Sequence, residues 1–354
     1  MKSSLSALLV LLSIFNCIAQ NTTMYVGTYT SGMSEGIYKF DFNTETGELS
    51  NQKLAVAVQN PSFLAFSPNK KYIYAVGEGE TGAATAFKLK SDGTLEFINS
   101  VSSNGKGPCH ISTNKTGNRA VVSNYGGGTV SIYDINKNGR LEKAHQTFNH
   151  NIEGQSPARA HSAKFYKDEL FVADLGRNRL YQYKKGNKSY EMVSKSIIHI
   201  EGNPGPRHFV ISQDGNYVYI INEYGGSITS VKRTDTGFEQ IDYDSTLEET
   251  YKGENKCADI HLSKDERFLY GSNRGENSIA VFKRNLDTGT LDKIQNMTVH
   301  GDWPRNFALD PSGKFLLVAN QKSNNISVFS VDKNTGELSF LNTTETPSPV
   351  CLLF

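Results

Sequence analysis

Apolar and polar positions alternate in short runs along nearly the whole chain, and glycine turns cut the runs apart. The fullest example is Gly205–Arg233, GPRHFVISQDGNYVYIINEYGGSITSVKR. A short apolar run after Arg207 and His208 meets an Asp214-Gly215 turn. The strand Tyr217–Ile221 follows, and a Gly-Gly turn leads into Ser227–Lys232. Alternating runs on both sides of an Asp-Gly pair predict an antiparallel hairpin. The arrangement recurs at Gly107–Ile135, Ala158–Lys184, Cys257–Arg284 and Trp303–Val331, and more loosely at Asn60–Leu89. The repeats lack the apolar period of 3.6 that helices would show.

Pro108, Pro206 and Pro304 are spaced 98 residues apart, two units of 49 at each step, and Pro61 opens an earlier unit. A repeat of that length made only of strands predicts a β-propeller with one four-stranded antiparallel sheet per unit. Six units are complete and a seventh is split between the chain ends. Pro347–Phe354 reads as its first strand, and Met24–Phe42 as the strands after it. The expectation is an all-β, seven-bladed propeller whose ring closes by pairing of N- and C-terminal strands within one blade. Closure removes the free sheet edges. Thr46-Gly47, Asp92-Gly93, Asn138-Gly139, Thr236-Gly237, Thr288-Gly289 and Thr335-Gly336 mark the last hairpin of most units.

The repeat changes what length implies. A chain of 354 residues ordinarily suggests about two domains, but a ring cannot be cut into independent halves, so residues 21–354 are read as one domain. Residues 1–20 read as a signal peptide, with Lys2, an apolar run Ala7–Phe15 and a small-x-small site at Cys17-Ile18-Ala19. The run is too short to span a bilayer. The expected location is exported, periplasmic or secreted; lipidation of Cys17 is the lesser reading, because Asn16 is a poor residue before a lipidated cysteine. Without Lys2 the acidic and basic residues balance at 36 each. That balance offers no footing for nucleic acid or an anionic membrane surface. Cys109, Cys257 and Cys351 lie in three different repeats without close spacing, so they read as small buried residues and no metal set is expected.

Aligning the units places one side chain per blade at equal depth on the first strand: Phe63, His110, His161, His208, Asp259, Asn306 and Cys351. The preceding row contains Arg207 and Arg305. Where the next strand ends, the row reads Thr28, Glu78, Tyr125, Leu175, Glu223, Arg274 and Gln321. First strands line a propeller's central channel, so these rows converge on one mouth. Strand ends beside a wet channel are polar in any propeller, and Asn124, Asp174, Asn222, Asn273 and Asn320 read as turn ties. Three histidines, three arginines and a glutamate on one ring ask for more, since grouped guanidiniums are costly to desolvate without an anion. Such a set suits acyl-oxygen hydrolysis or proton transfer beside a carboxylate or phosphate. A histidine or glutamate would activate water, and arginines would hold the anion and the developing oxyanion. No G-x-S-x-G elbow or H-E-x-x-H helix is present. The turns Gly126–Gly128 and Gly225-Gly226 join strands and lack the helix N-terminus of a phosphate loop.

The stretches MYVGTYT, GPRHFVIS with NEYGGS, ADIHLSKDERFLYGSNRGENSIAVF, and WPRNFALDPSGKFLLVANQKSNNISVF with its NTGEL turn carry a resemblance. From about Met24 to Phe354 the chain resembles the seven-bladed lactonase family, which includes propeller-type 6-phosphogluconolactonases and carboxymuconate-lactonising enzymes. The resemblance implies a cofactor-free lactonase acting on an anionic sugar lactone. It implies a site of His161, Arg207, Glu223 and Arg274, all four already present in the aligned rows, and the rows themselves add His110, His208, Asp259, Arg305, Glu78 and Gln321 as substrate-binding candidates. Family members often carry P-H-x-H before the third inner strand, where this chain has Ala158-Arg159-Ala160-His161. A muconate-type cycloisomerase and a non-catalytic propeller binding sugar acids or a protein partner are the alternatives. A calcium-dependent lactonase fits less well, because the rows hold more cations than anions.

Overall fold

The computed structural model describes residues 21–193 and 198–354; the leader expected at residues 1–20 lies outside the described residues. Seven antiparallel sheets are arranged as blades. Their innermost strands, in chain order, are Leu64–Phe66, Pro108–Thr113, Ala160–Tyr166, Pro206–Ile211, Lys256–Leu262, Pro304–Leu309 and Pro349–Leu353. In the seventh blade the C-terminal strand Pro349–Leu353 pairs antiparallel with Asn21–Thr28, with Tyr25 opposite Leu353 and Gly27 opposite Cys351. The ring therefore closes as the split repeat predicts. Among the described residues, the outer edge of the third blade includes Tyr190–Met192 and Ile198–His199, both paired with Arg179–Lys185. A single turn of 3-10 helix, Leu175–Arg177, replaces the Gly-Gly turn there.

The core is divided among the spaces between blades. Every residue of Tyr217–Asn222 is buried, because both faces of this second strand are covered by neighbouring blades. The outer strand Gly237–Ser245 is half-buried or exposed throughout. Tyr217, Tyr219, Ile221 and Ile228 of the fourth blade pack on Ile260, Leu269, Ala280 and Phe282 of the fifth, and comparable clusters recur around the ring. Buried tyrosines find partners in a repeating way: Tyr219 donates its hydroxyl to Gly289 O at 2.9 Å, and Tyr270 to Gly336 O at 3.0 Å. Both acceptors lie in the last hairpin of the next blade. Gly289 has φ +79°, and a Cβ there would stand 2.2 Å from the Tyr217 ring, so the Thr-Gly pairs serve both turn geometry and packing between blades.

One local feature positions the functional side chains. In the second to sixth blades the register shifts as the inner strand enters the sheet, between Pro108 and His110, Ala160 and Ser162, Pro206 and His208, Cys257 and Ile260, and Pro304 and Asn306. In a regular strand successive side chains point to opposite faces. A bulge inserts an extra residue and re-aims it. Arg207 and His208 can therefore both reach the channel although they are adjacent.

Candidate active site

Every blade contributes to one mouth of the channel, at the starts of the inner strands. Arg207 of the fourth blade and Arg274 of the fifth flank Glu223. Arg207 Nε lies 3.0 Å, and Arg274 Nη2 2.9 Å, from Glu223 Oε2. Both guanidiniums are also held by main-chain oxygens of the fifth inner strand: Arg207 Nη1 donates to Ala258 O at 2.5 Å, and Arg274 to Lys256 O and Cys257 O at 3.1 and 3.0 Å. Arg305 of the sixth blade lies over the Tyr29 ring of the seventh at 5.2 Å and 3.9 Å from Glu78 Oε2 of the first. Tyr29 donates its hydroxyl to the same Glu78 oxygen at 2.8 Å. His161 of the third blade lies edge-on to Tyr125 of the second, ring centroids 5.6 Å apart, with its Nδ1 3.8 Å from Cys109 Sγ.

The mouth carries three arginines against two carboxylates, and the local electrostatics follow from that excess. Burial and the neighbouring Arg207 push the Arg274 guanidinium down to about 9. Burial and Arg305 lower Arg207 as well. Burial alone would raise the Glu223 carboxyl, but Arg274 and Arg207 outweigh it and hold the group below its ordinary value. His161 is driven well below the usual histidine range by burial and then by Arg207, so it stands as a neutral imidazole.

A second layer lies deeper. His208 Nδ1 is 2.7 Å from Asp259 Oδ1, and Asp259 Oδ2 lies 3.0 Å from His261 Nε2 and accepts from Asn306 Nδ2. Asn306 Oδ1 in turn accepts from Leu352 N at 2.7 Å. The His208 ring sits 5.2 Å from His161, 5.6 Å from His110 and 5.8 Å from Phe63, centroid to centroid. Phe63 belongs to the first blade and His208 to the fourth, so these rings meet across the axis and close the channel at this depth. Burial, with Arg207 next, lowers His208 to about 4 despite its carboxylate partner.

His161, Arg207, Glu223, Arg274, Arg305 and Glu78 thus share the mouth, while His110, His208 and Asp259 form the layer beneath. Gln321 is partly buried with its side-chain oxygen unpartnered among the described residues. Of the remaining row members, Leu175 is a buried apolar residue and Thr28 turns to Gly36 O in its own blade. Asn124, Asn222, Asn273 and Asn320 donate within their own turns, as their sequence setting predicts. Tyr29 and Trp303 were not singled out from the sequence. Trp303 holds φ +69°, an outlier for a bulky residue, and its ring is covered by Arg274 at 5.2 Å and Lys322 at 3.5 Å. Its position directly before the sixth repeat's Pro304, where the fourth repeat has Gly205, was the available signal.

Comparison with known proteins gives a consistent picture. Residues 23–354 match the family described as lactonase, 7-bladed beta-propeller. The chain is 38% identical to a 6-phosphogluconolactonase of Formosa agariphila, covering 90% of this chain and 95% of that one. It is 33% identical to the 6-phosphogluconolactonase of Bacillus subtilis over 93% and 97%. Among solved structures, a periplasmic gluconolactonase of Pseudomonas aeruginosa superposes with a TM-score of 0.89 at 27% identity, over 94% and 99% of the two chains. A putative 6-phosphogluconolactonase of Bacteroides fragilis gives 0.84 at 33%, over 94% and 97%. With ring closure, seven blades and full-length similarity all in agreement, the chain belongs to the seven-bladed β-propeller lactonase family.

Proposed function

We propose that this protein is a lactone hydrolase that opens an anionic sugar lactone, 6-phosphoglucono-1,5-lactone being the first substrate to test. The observation that carries the reading is the cationic mouth, where Arg207, Arg274 and Arg305 surround a neutral His161 and are paired with Glu223 and Glu78. A phosphate or carboxylate on the sugar supplies the missing negative charge.

In this reading the neutral His161 takes a proton from water as the water oxygen bonds to the lactone carbonyl carbon. The arginines stabilise the oxyanion that develops. Collapse breaks the ring C–O bond, His161 returns the proton to the leaving oxygen, and the new acid ionises to the carboxylate. Glu223 is given a different task, because its Oε2 already faces both guanidiniums at 3.0 and 2.9 Å: it holds Arg207 and Arg274 side by side. Arg305, with Glu78 and Tyr29, forms the opposite wall, and Gln321, His110, His208 and Asp259 support the substrate from the rim and from below.

Hydrolysis of 6-phosphoglucono-1,5-lactone by the purified mature chain, followed by proton release beside the spontaneous rate, is the test. Glucono-1,5-lactone in parallel distinguishes a preference for the phosphorylated sugar. Catalysis with neither lactone would refute the reading, and loss of a muconate's absorbance would transfer it to lactonisation. The proposal extends to export from the cytoplasm, supported by the leader-like pattern of residues 1–20. N-terminal sequencing of the protein recovered from an osmotic-shock fraction would check that placement.

A further inference from the structure

Inner strands run in the same direction along the channel, so their C-terminal halves surround the mouth opposite the arginines. A cavity of about 390 Å³ opens there, lined by Phe66, Phe165, Phe307 and Leu353 together with Lys164 and His261. That volume falls within the range of about 300–1,000 Å³ typical of small-molecule sites. The contact of Phe63, His110 and His208 across the axis separates it from the arginine mouth.

The cavity is mostly apolar but holds one cation with no anion of its own. Lys164 Nζ donates to Phe209 O at 2.8 Å and lies 5.6 Å from the Phe209 ring. Its other two N–H bonds have no acceptor among the described residues. Asp259, the carboxylate nearest in charge, is already engaged by His208, His261, Asn306 and the main-chain N–H groups of Ile260 and Phe307. Burial lowers the lysine below its ordinary value, with Asp259 only partly offsetting that cost. An ammonium in such surroundings favours an anionic partner. The walls favour an apolar body, and the polar side chains among them are engaged within the fold: Ser112 donates to Ala163 O, Thr113 to Phe66 O and Asn306 to Asp259.

We propose that the far mouth of the channel is a second ligand site for a small carboxylate carrying an apolar body. The carboxylate sits on Lys164 Nζ, and the body lies against Phe66, Phe165 and Leu353. This assignment is independent of the chemistry at the arginine mouth.

Isothermal titration of the mature protein with phenylacetate and octanoate tests it, with phenylacetamide and acetate as controls for charge and apolar body. Binding of both apolar carboxylates and neither control is expected. Lys164→Met, which keeps the stem but removes the charge, should weaken binding at least tenfold. Ala65→Phe fills the cavity without touching the charge and should do the same, so the proposal stays testable if one variant fails to fold. Arg274→Lys should impair lactone turnover and leave this binding unchanged. Absence of binding by either carboxylate at 10-millimolar order, or binding lost in Arg274→Lys and retained in Lys164→Met and Ala65→Phe, overturns the proposal.

Discussion

Replacing Glu223 by glutamine removes one negative charge from between two buried guanidiniums while keeping the side chain's shape. Arg207 and Arg274 are 2% and 4% exposed, so water cannot take over the carboxylate's role at either. Breaking a buried ion pair by removing one partner costs about 3–5 kcal/mol. Glu223 itself is 8% exposed and faces the open mouth, which puts the expected loss near the lower end, about 3 kcal/mol. At about 2 °C per kcal/mol for a large domain, the melting temperature should fall by about 6 °C. Inorganic phosphate should restore much of it, because an anion in the mouth replaces the missing charge. At a hundred times its Kd, a ligand returns about 2.7 kcal/mol. The assay is thermal unfolding of both proteins in phosphate-free buffer and across a phosphate series. A melting temperature within about 1 °C of wild type in phosphate-free buffer, combined with abolished turnover, would falsify the reasoning: Glu223 would then act on the substrate, not on the arginines.

Other consequences are simpler to check. His161→Asn should reduce kcat by about 10²–10⁴ with KM changed only a few-fold, the span expected for loss of a general base. Because burial and Arg207 keep His161 deprotonated, the wild-type kcat/KM should stay flat on acidification through pH 6.5; an acid limb at pH 6.5 would point to another base. His110, His161 and His208 all have lowered values in the fold, so the unfolded chain takes up protons first as pH falls. Stability is therefore full at neutral pH and is lost between about pH 6.5 and the folded values; for His208, lowered to about 4, the loss is roughly 3 kcal/mol. Urea unfolding at pH 7.5 and 5 should show the decline, and His110→Phe, beside Phe63, should lessen it. Leu352→Ala, in the strand that closes the ring and packed with Met24, Val26 and Phe42, should cost about 2–5 kcal/mol by chemical denaturation; a loss below 1 kcal/mol would mean that the closing strand contributes little.

Much of the architecture follows from local sequence, because strand alternation and turn chemistry are short-range. Asp214-Gly215 and Thr288-Gly289 specify their hairpins wherever they sit. The 49-residue spacing of Pro108, Pro206 and Pro304 multiplies that unit, and the incomplete repeat at each end permits a closed ring. Equal spacing of the units also brings Arg207, Glu223 and Arg274 together, since repetition places equivalent positions at equal depth.

Depth and direction were decided only in three dimensions. Alternation along a strand would send Arg207 and His208 to opposite faces; the bulge between Pro206 and His208 brings both to the channel, and the adjacent letters carry no sign of it. One row was accordingly separated into two layers, an arginine mouth and a plug of His110, His208 and Phe63. The roles of Trp303, Tyr29 and Lys164 depend on neighbours from other blades, so no window of sequence contains them. The chain alone determined what each blade is; the closed circle decided which side chains face one another, because that depends on contacts between residues far apart in the chain, such as Leu64 and Cys351, 287 positions apart.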